Sequence, residues 1–165
     1  MKKIYLNQGK WTIVDDEDFE WLNQWKWTYK HVKTLSCGED YGIVVRNNYS
    51  SNGKRTNIIR MHRVILNAPP NFQVDHINGN RLDNRRRNIR LATIGQNNKN
   101  KRSVAKSGYK NVYREECINL RWFSKIMVDR KTIHLGCYDS KEEAAIAYNN
   151  AAIKYHGQFA CLNKI

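Results

Sequence analysis

Between Phe72 and Asn100, in the stretch FQVDHINGNRLDNRRRNIRLATIGQNNKN, the apolar pattern changes period, and that change restricts the fold more than any other segment. Phe72, Val74 and His76 share one face of a strand, because side chains alternate along an extended chain. Asn78-Gly79-Asn80 breaks the strand, and Ile89 with Leu91 marks a second one. Thr93 followed by Gln96 is a capping-box pattern, which predicts a helix from Thr93 with Asn97 in its first turn. The order is strand, loop, strand, helix, and at 165 residues the chain holds one ordinary domain or two to three small modules, which excludes a single large barrel.

The surrounding sequence fits small modules of mixed α+β class. Residues 4–14 predict a short strand, and Asp15, Asp16, Glu17 and Asp18 read as the acidic first turn of a helix carrying Phe19 and Leu22. Exposed carboxylates at a helix start favour capping over metal binding. Trp25, Trp27 and Tyr29, then Tyr41, Ile43 and Val45, alternate with polar residues, so residues 25–60 predict a small antiparallel sheet. Trp11, Trp21, Trp25 and Trp27 are expected in its core, because a small module needs large side chains to stabilise it. His62-Arg63-Val64-Ile65-Leu66 predicts one or two helical turns ended by Pro69-Pro70, and His62 stays open between a packing histidine with a satisfied hydrogen bond and a second catalytic base.

The 165 residues carry 29 Lys and Arg against 15 Asp and Glu, a net charge of +14. The excess is +3 over residues 1–60, +8 over 61–107 and +3 over 108–165, so it peaks on the central stretch. A polyanion, nucleic acid, is the partner this implies. Neither a basic amphipathic helix nor a lipidation signal is visible, and no apolar run follows Lys2 and Lys3, so no membrane partner or signal peptide is expected. Cys37, Cys117, Cys137 and Cys161 form no C-x-x-C pair; they are expected as buried reduced thiols, without structural zinc.

The residue types of the central stretch suit phosphodiester hydrolysis. That reaction needs an activated water, neutralised phosphate charge and a stabilised leaving oxygen. Asp75 offers an anionic oxygen ligand and Asn97 a neutral one, a set suited to Mg²⁺ or Mn²⁺. The reference pKa of His76, ~6.5, suits a general base. Asn88 could hold the imidazole in one orientation. Asp75 and His76 can serve one site only if their strand ends or twists there, which Asn78-Gly79 permits. Arg81, Arg85, Arg86, Arg87 and Arg90 are expected to meet phosphates.

Residues 61–100 resemble an HNH endonuclease module of the ββα-metal class, in the homing-endonuclease branch. The matching residues are His62-Arg63, VDHINGN at 74–80, NIRLAT at 88–93 and QNNKNK at 96–101. The resemblance implies His76 as general base, Asp75 and Asn97 as ligands of a single Mg²⁺ or Mn²⁺, and Asn88 as the residue orienting His76. Asn97 stands where many members have a last histidine. A phage or mobile element in a bacterial host, and hence a cytoplasmic location, is the setting implied.

Residues 98–107, with Lys99, Lys101, Arg102 and Lys106, read as a basic tether to DNA, its linker proper being 101–107. Three strands follow, about Tyr109–Arg114, Arg121–Val128 and Thr132–Tyr138. Ser140 with Glu143 is a second capping box. Ala144, Ala147, Tyr148, Ala151, Ala152 and Tyr155 then recur at helical spacing until Gly157. Trp122, Ser124, Ile126 and Val128 should face that helix, leaving Arg121, Phe123, Lys125 and Met127 opposite. This layout, with LGCYDSKEEAAIAYNNAAIKYHG at 135–157 and LN at 162–163, resembles the APETALA-type DNA-binding domain of plant ethylene-response factors. The resemblance implies a sheet laid in the major groove of double-stranded DNA, with Lys110, Arg114, Arg121, Lys125 and His134 on the DNA side.

The expected organisation is an N-terminal β-rich module (1–60), a nuclease module (61–100), a basic linker (101–107) and a DNA-binding domain (108–165). The expected function is a sequence-directed endonuclease. A DNA-binding regulator with a vestigial nuclease fold and a nonspecific or restriction-type phage nuclease stay open as alternatives. One site of this kind cuts one strand, so a double-strand break needs a homodimer or a second turnover.

Overall fold

A computed structural model describes residues 1–32, 42–102, 105–114 and 121–165. The chain divides into two compact units, Met1–Ile94 and Gly95–Ile165. The expected α+β class holds in both.

In the first unit the expected single strand over residues 4–14 is a hairpin, β1 (Lys2–Tyr5) paired with β2 (Trp11–Val14). Gln8 and Gly9 both take positive φ, 60° and 65°, and reverse the chain between the strands. Paired left-handed residues give the turn whose twist matches a hairpin, a signal that Gln8-Gly9 carries only weakly in sequence. Helix α1 (Asp16–Asn23) follows, and then a three-stranded antiparallel sheet in the order β3 (Thr28–His31), β4 (Gly42–Tyr49), β5 (Arg55–Arg60). The expected strand residue Tyr41 lies outside the described residues. Strand β3 opens only at Thr28, after Trp25 and Trp27.

The four tryptophans do not share the core. Trp27 is buried and donates Nε1–H to the Leu22 carbonyl (2.8 Å), while Trp21 and Trp25 pack edge to face at its margin. Trp11 is exposed beneath the Lys3 ammonium. Aliphatic side chains do the rest: Ile4, Val14, Leu22, Val44, Met61, Ile65 and Ile89 form one buried cluster. Burying each of the larger ones contributes roughly 1.5–3 kcal/mol. This cluster joins the N-terminal hairpin, the sheet and the central stretch into a single core.

Helix α2 (Met61–Ile65) ends before Pro69, and the Arg63 guanidinium pins the segment after it by donating to the carbonyls of Ala68, Pro69 and Phe72 at 2.7–2.9 Å. The expected strand pair is β6 (Gln73–His76) against β7 (Ile89–Ala92), with Asp75 opposite Arg90 and His76 opposite Ile89. Helix α3 (Ile94–Asn100) completes the strand, strand, helix order. It takes in residues 98–100, which the sequence assigned to a tether.

The second unit carries an antiparallel sheet in the order β10 (Lys131–Tyr138), β9 (Trp122–Val128), β8 (Val112–Arg114), with helix α4 (Lys141–His156) against one face. The capping box is present: the Ser140 Oγ accepts from the Glu143 amide (3.1 Å) and a Glu143 carboxylate oxygen accepts from the Ser140 amide (3.4 Å). Ala144, Ala145, Tyr148, Ala151 and Ala152 are buried on the sheet, over Ser124, Ile126 and Val112. Ala145 joins the expected face and Tyr155, beneath the Lys154 ammonium, leaves it. Of the cysteines expected to be buried, Cys137 is exposed and Cys161 half-buried; Cys37 and Cys117 lie outside the described residues. Cys137 lies across from Phe123 on the sheet face opposite α4.

Candidate active site and nucleic-acid surface

Strand β6 ends at His76, because the Ile77 amide turns to the Asn88 carbonyl (2.8 Å) and the Gly79 amide closes back on the His76 carbonyl (2.9 Å). Gly79 takes φ of +77°, a conformation that a side chain would strain. Asp75 and His76 are thereby placed at a strand end, and both are buried, at 5% and 7% exposure. Asp75 Oδ2 accepts from Arg90 Nε (2.9 Å) and Nη2 (2.7 Å) across the strand pair. Burial pushes the His76 imidazole below its ordinary pKa, against a hydrogen bond to Asn84 that raises it. A neutral ring is what a general base requires.

The partner of His76 Nε2 is Asn84 Oδ1, at 3.1 Å. The sequence had assigned an orienting role to Asn88. Its side chain instead receives the Asn78 amide on Oδ1 (3.0 Å) and donates Nδ2–H to the Asp83 carbonyl (2.7 Å). Asn88 thus braces the loop, and Asn84 touches the ring. Asn84 was passed over because nothing about an asparagine within a polar loop announces that it is fully buried.

His62 lies edge to face against His76, with ring centroids 5.2 Å apart. It packs in the interior, and its buried Nδ1 has no hydrogen-bond partner among the described residues. Burial, reinforced by the neighbouring His76, lowers its pKa to about 3.

Three of the five central arginines are engaged by carboxylates of the fold. Arg90 holds Asp75. Arg85 grips Asp83 with both ends of its fork, at 2.6 and 2.5 Å, and this holds the Asp83 carboxyl below its ordinary range. Arg86 reaches Asp18 at 2.9 and 2.7 Å and Glu17 at 2.9 Å, while its amide donates to Asp15 (2.8 Å). Asp16, Glu17 and Asp18 form the acidic first turn of α1 as expected, and Asp15, Glu17 and Asp18 also clamp the central loop through Arg86. Asp15 makes no capping hydrogen bond and Asp18 is buried at 1%. Arg87 is exposed and Arg81 half-buried.

In the second unit, Asn97 is half-buried on α3, as is Lys99, and Lys101 and Arg102 are exposed. Lys110 departs from the expected DNA-facing row. Its Nζ donates to the carbonyls of Lys99 (2.7 Å) and Lys101 (2.6 Å), where α3 ends and leaves carbonyls without partners. The Asn163 side chain fixes Lys110 further, accepting from its amide (2.6 Å) and donating to its carbonyl (3.2 Å).

The sheet face opposite α4 presents Phe123 stacked between Tyr113 and His134, at centroid distances of 5.4 and 5.5 Å. The Lys125 ammonium lies over Tyr113 (4.7 Å). Arg114 lies over Trp122, and Arg121 pairs with Asp139 at the exposed edge. The members of this aromatic row come from three strands, so local spacing does not reveal it as it does the basic residues.

In a comparison with known families, residues 61–99 match the family model of HNH endonucleases. That stretch carries an HNH endonuclease domain. An uncharacterized HNH endonuclease of Acanthamoeba polyphaga mimivirus is 31% identical across 65% of this chain. The chain spans 58% of the length of that relative. Among the described residues, no three His, Cys, Asp or Glu side chains gather as a metal-binding group. The Asp75 carboxylate is an oxygen donor of the kind a divalent cation accepts, and it is held by Arg90. No helix among the described residues is long and apolar enough to cross a membrane.

Proposed function

We propose that this chain is a metal-dependent, sequence-directed DNA endonuclease of the homing type. The observation that carries the reading is His76: a buried imidazole kept neutral at a strand end beside Asp75, within residues that match the HNH endonuclease model. His76 takes the proton of the attacking water. Asp75 would be the anionic ligand of one Mg²⁺ or Mn²⁺, with Asn97 the neutral ligand implied by its place in the motif. When bound, the ion would supply charge neutralisation to the reaction. Arg90 holds the Asp75 carboxylate in one orientation, and Asn88 keeps the loop after β6 closed.

Double-stranded DNA is the substrate. The APETALA-like sheet of the second unit supplies the address, with Lys125 and His134 toward the DNA and Arg87, Lys101 and Arg102 meeting phosphates. The net charge of +14 supports this partner. Incubating supercoiled plasmid and a library of DNA sites with the full chain, with Mg²⁺, Mn²⁺ or chelator, tests the reading. Metal-dependent cleavage at a restricted set of sites, lost in His76→Ala, is expected. Cleavage undiminished in His76→Ala removes the assigned base.

The regulator reading has one observation in its favour. Asp75 is already neutralised by Arg90, which weakens its pull on a cation. Tight, salt-dependent binding without cleavage in either metal would establish it.

A further inference from the structure

The buried partner of His76 has a buried partner of its own. Asn84 Nδ2 donates to Thr12 Oγ1 at 2.8 Å, and Thr12 Oγ1 lies 2.7 Å from the Leu82 carbonyl. Thr12 belongs to β2 of the N-terminal hairpin. Both Thr12 and Asn84 are fully buried. The backbone holds the same two segments together, since the Ile13 amide donates to the Leu82 carbonyl (2.9 Å) and the Asn84 amide to the Ile13 carbonyl (2.9 Å).

The direction of each bond in this chain follows from what its ends can do. A carbonyl only accepts, so the Thr12 hydroxyl proton goes to Leu82 and its oxygen is left as an acceptor. The Asn84 atom facing it must then be the donor, the NH₂ group. The Arg81 carbonyl, 3.5 Å from that same nitrogen, is a further acceptor and agrees. With its NH₂ so committed, Asn84 turns its oxygen to His76, and an oxygen without a proton can only accept. His76 Nε2 therefore carries the hydrogen, and Nδ1 is the basic nitrogen.

We propose that Thr12 and Asn84 are positioning residues through which the N-terminal hairpin sets the tautomer of His76. The inference rests on the proposed role of His76 as base and deepens it. It also gives residues outside the HNH-matching segment a part in the chemistry. Neither Thr12 nor Asn84 touches substrate; they decide which ring nitrogen does.

The test uses the full chain, labelled with ¹⁵N-histidine, without DNA or metal at pH 7.5. Long-range ¹H–¹⁵N spectra report which nitrogen of each ring is protonated, and His76 is assigned by its absence in His76→Ala. The wild-type ring is expected with the proton on Nε2. Thr12→Val keeps the shape of the side chain but removes the acceptor, so the Asn84 amide can reverse. Its His76 signal should then show a mixed or Nδ1-protonated ring, and its kcat on DNA should fall about ten-fold or more with KM unchanged. Thr12→Ser should restore both.

A wild-type ring protonated on Nδ1 overturns the proposal. So does a Thr12→Val protein with wild-type tautomer and turnover, or a Thr12→Ser protein as impaired as Thr12→Val. The wild-type spectrum stands even should Thr12→Val fail to fold. A wild-type chain that cuts nothing in Mg²⁺ or Mn²⁺ removes the endonuclease reading alone, because the tautomer is read without any reaction.

Discussion

The rings of His62 and His76 meet edge to face, 84° apart in plane, inside the protein. Two imidazoles so placed cannot both be charged without repelling one another in a poorly solvated space, and both have lowered pKa values. For His76 we predict that kcat for DNA cleavage rises with pH through a value below 6.5 and is level by pH 7. Proton loss activates a base, so a lowered pKa moves the acid limb down. Single-turnover cleavage at saturating Mg²⁺ between pH 4.5 and 8 checks this, and a limb centred above 6.5 contradicts it.

The same pair makes the fold sensitive to acid. Unfolded, His62 takes up a proton near pH 6.5; folded, it does so only near 3. The stability this histidine contributes is present in full above 6.5 and is lost as pH falls from there toward 3, at up to about 1.4 kcal/mol per pH unit. Urea denaturation at pH 7 and pH 4.5 should show the loss, and His62→Phe, which keeps a ring against His76 without titrating, should reduce it.

Arg90→Ala should be among the more damaging single changes in the first unit. It strips the fork from a carboxylate that is 95% buried, and breaking such a pair costs roughly 3 kcal/mol or more. Arg90→Lys keeps a charge but not the two-point grip, and is expected to lose less. Chemical denaturation midpoints at pH 7 measure both.

Lys110 and Lys125 should separate cleanly in DNA-binding experiments. Lys125→Met is expected to reduce the slope of log K against log salt by about 1, the mark of one lost phosphate contact. Lys110→Met should leave the slope unchanged and lower the thermal midpoint, because its ammonium bonds two carbonyls of the protein. Equal salt slopes for the two variants would return Lys110 to the DNA-facing row.

Ser140→Ala should destabilise the second unit by about 1 kcal/mol through loss of the α4 cap. A thermal melt followed by the helical signal reads this directly.

Features written in local spacing were legible in the sequence. The Ser140 to Glu143 box, the change of period between Val74 and Thr93, and the alternation of Ser124 and Ile126 each involve neighbours a few residues apart, and each became the element expected. What escaped was decided at long range. The run from Asp15 to Asp18 looked like an exposed cap because Arg86, its partner, lies about seventy residues on. Lys110 looked like a DNA contact because a lysine on a basic sheet carries no sign that a helix end needs it. Asn84, the residue against the His76 ring, is one of several asparagines in the loop, and only burial by the N-terminal hairpin distinguishes it.

The bond from Asn84 to Thr12 crosses seventy-two positions of chain. A fragment cut to the family boundaries, 61–99, would carry every letter of the HNH motif and lose the strand that orients its histidine. A protein that acquired the motif alone would inherit a base with no instruction about which nitrogen to use.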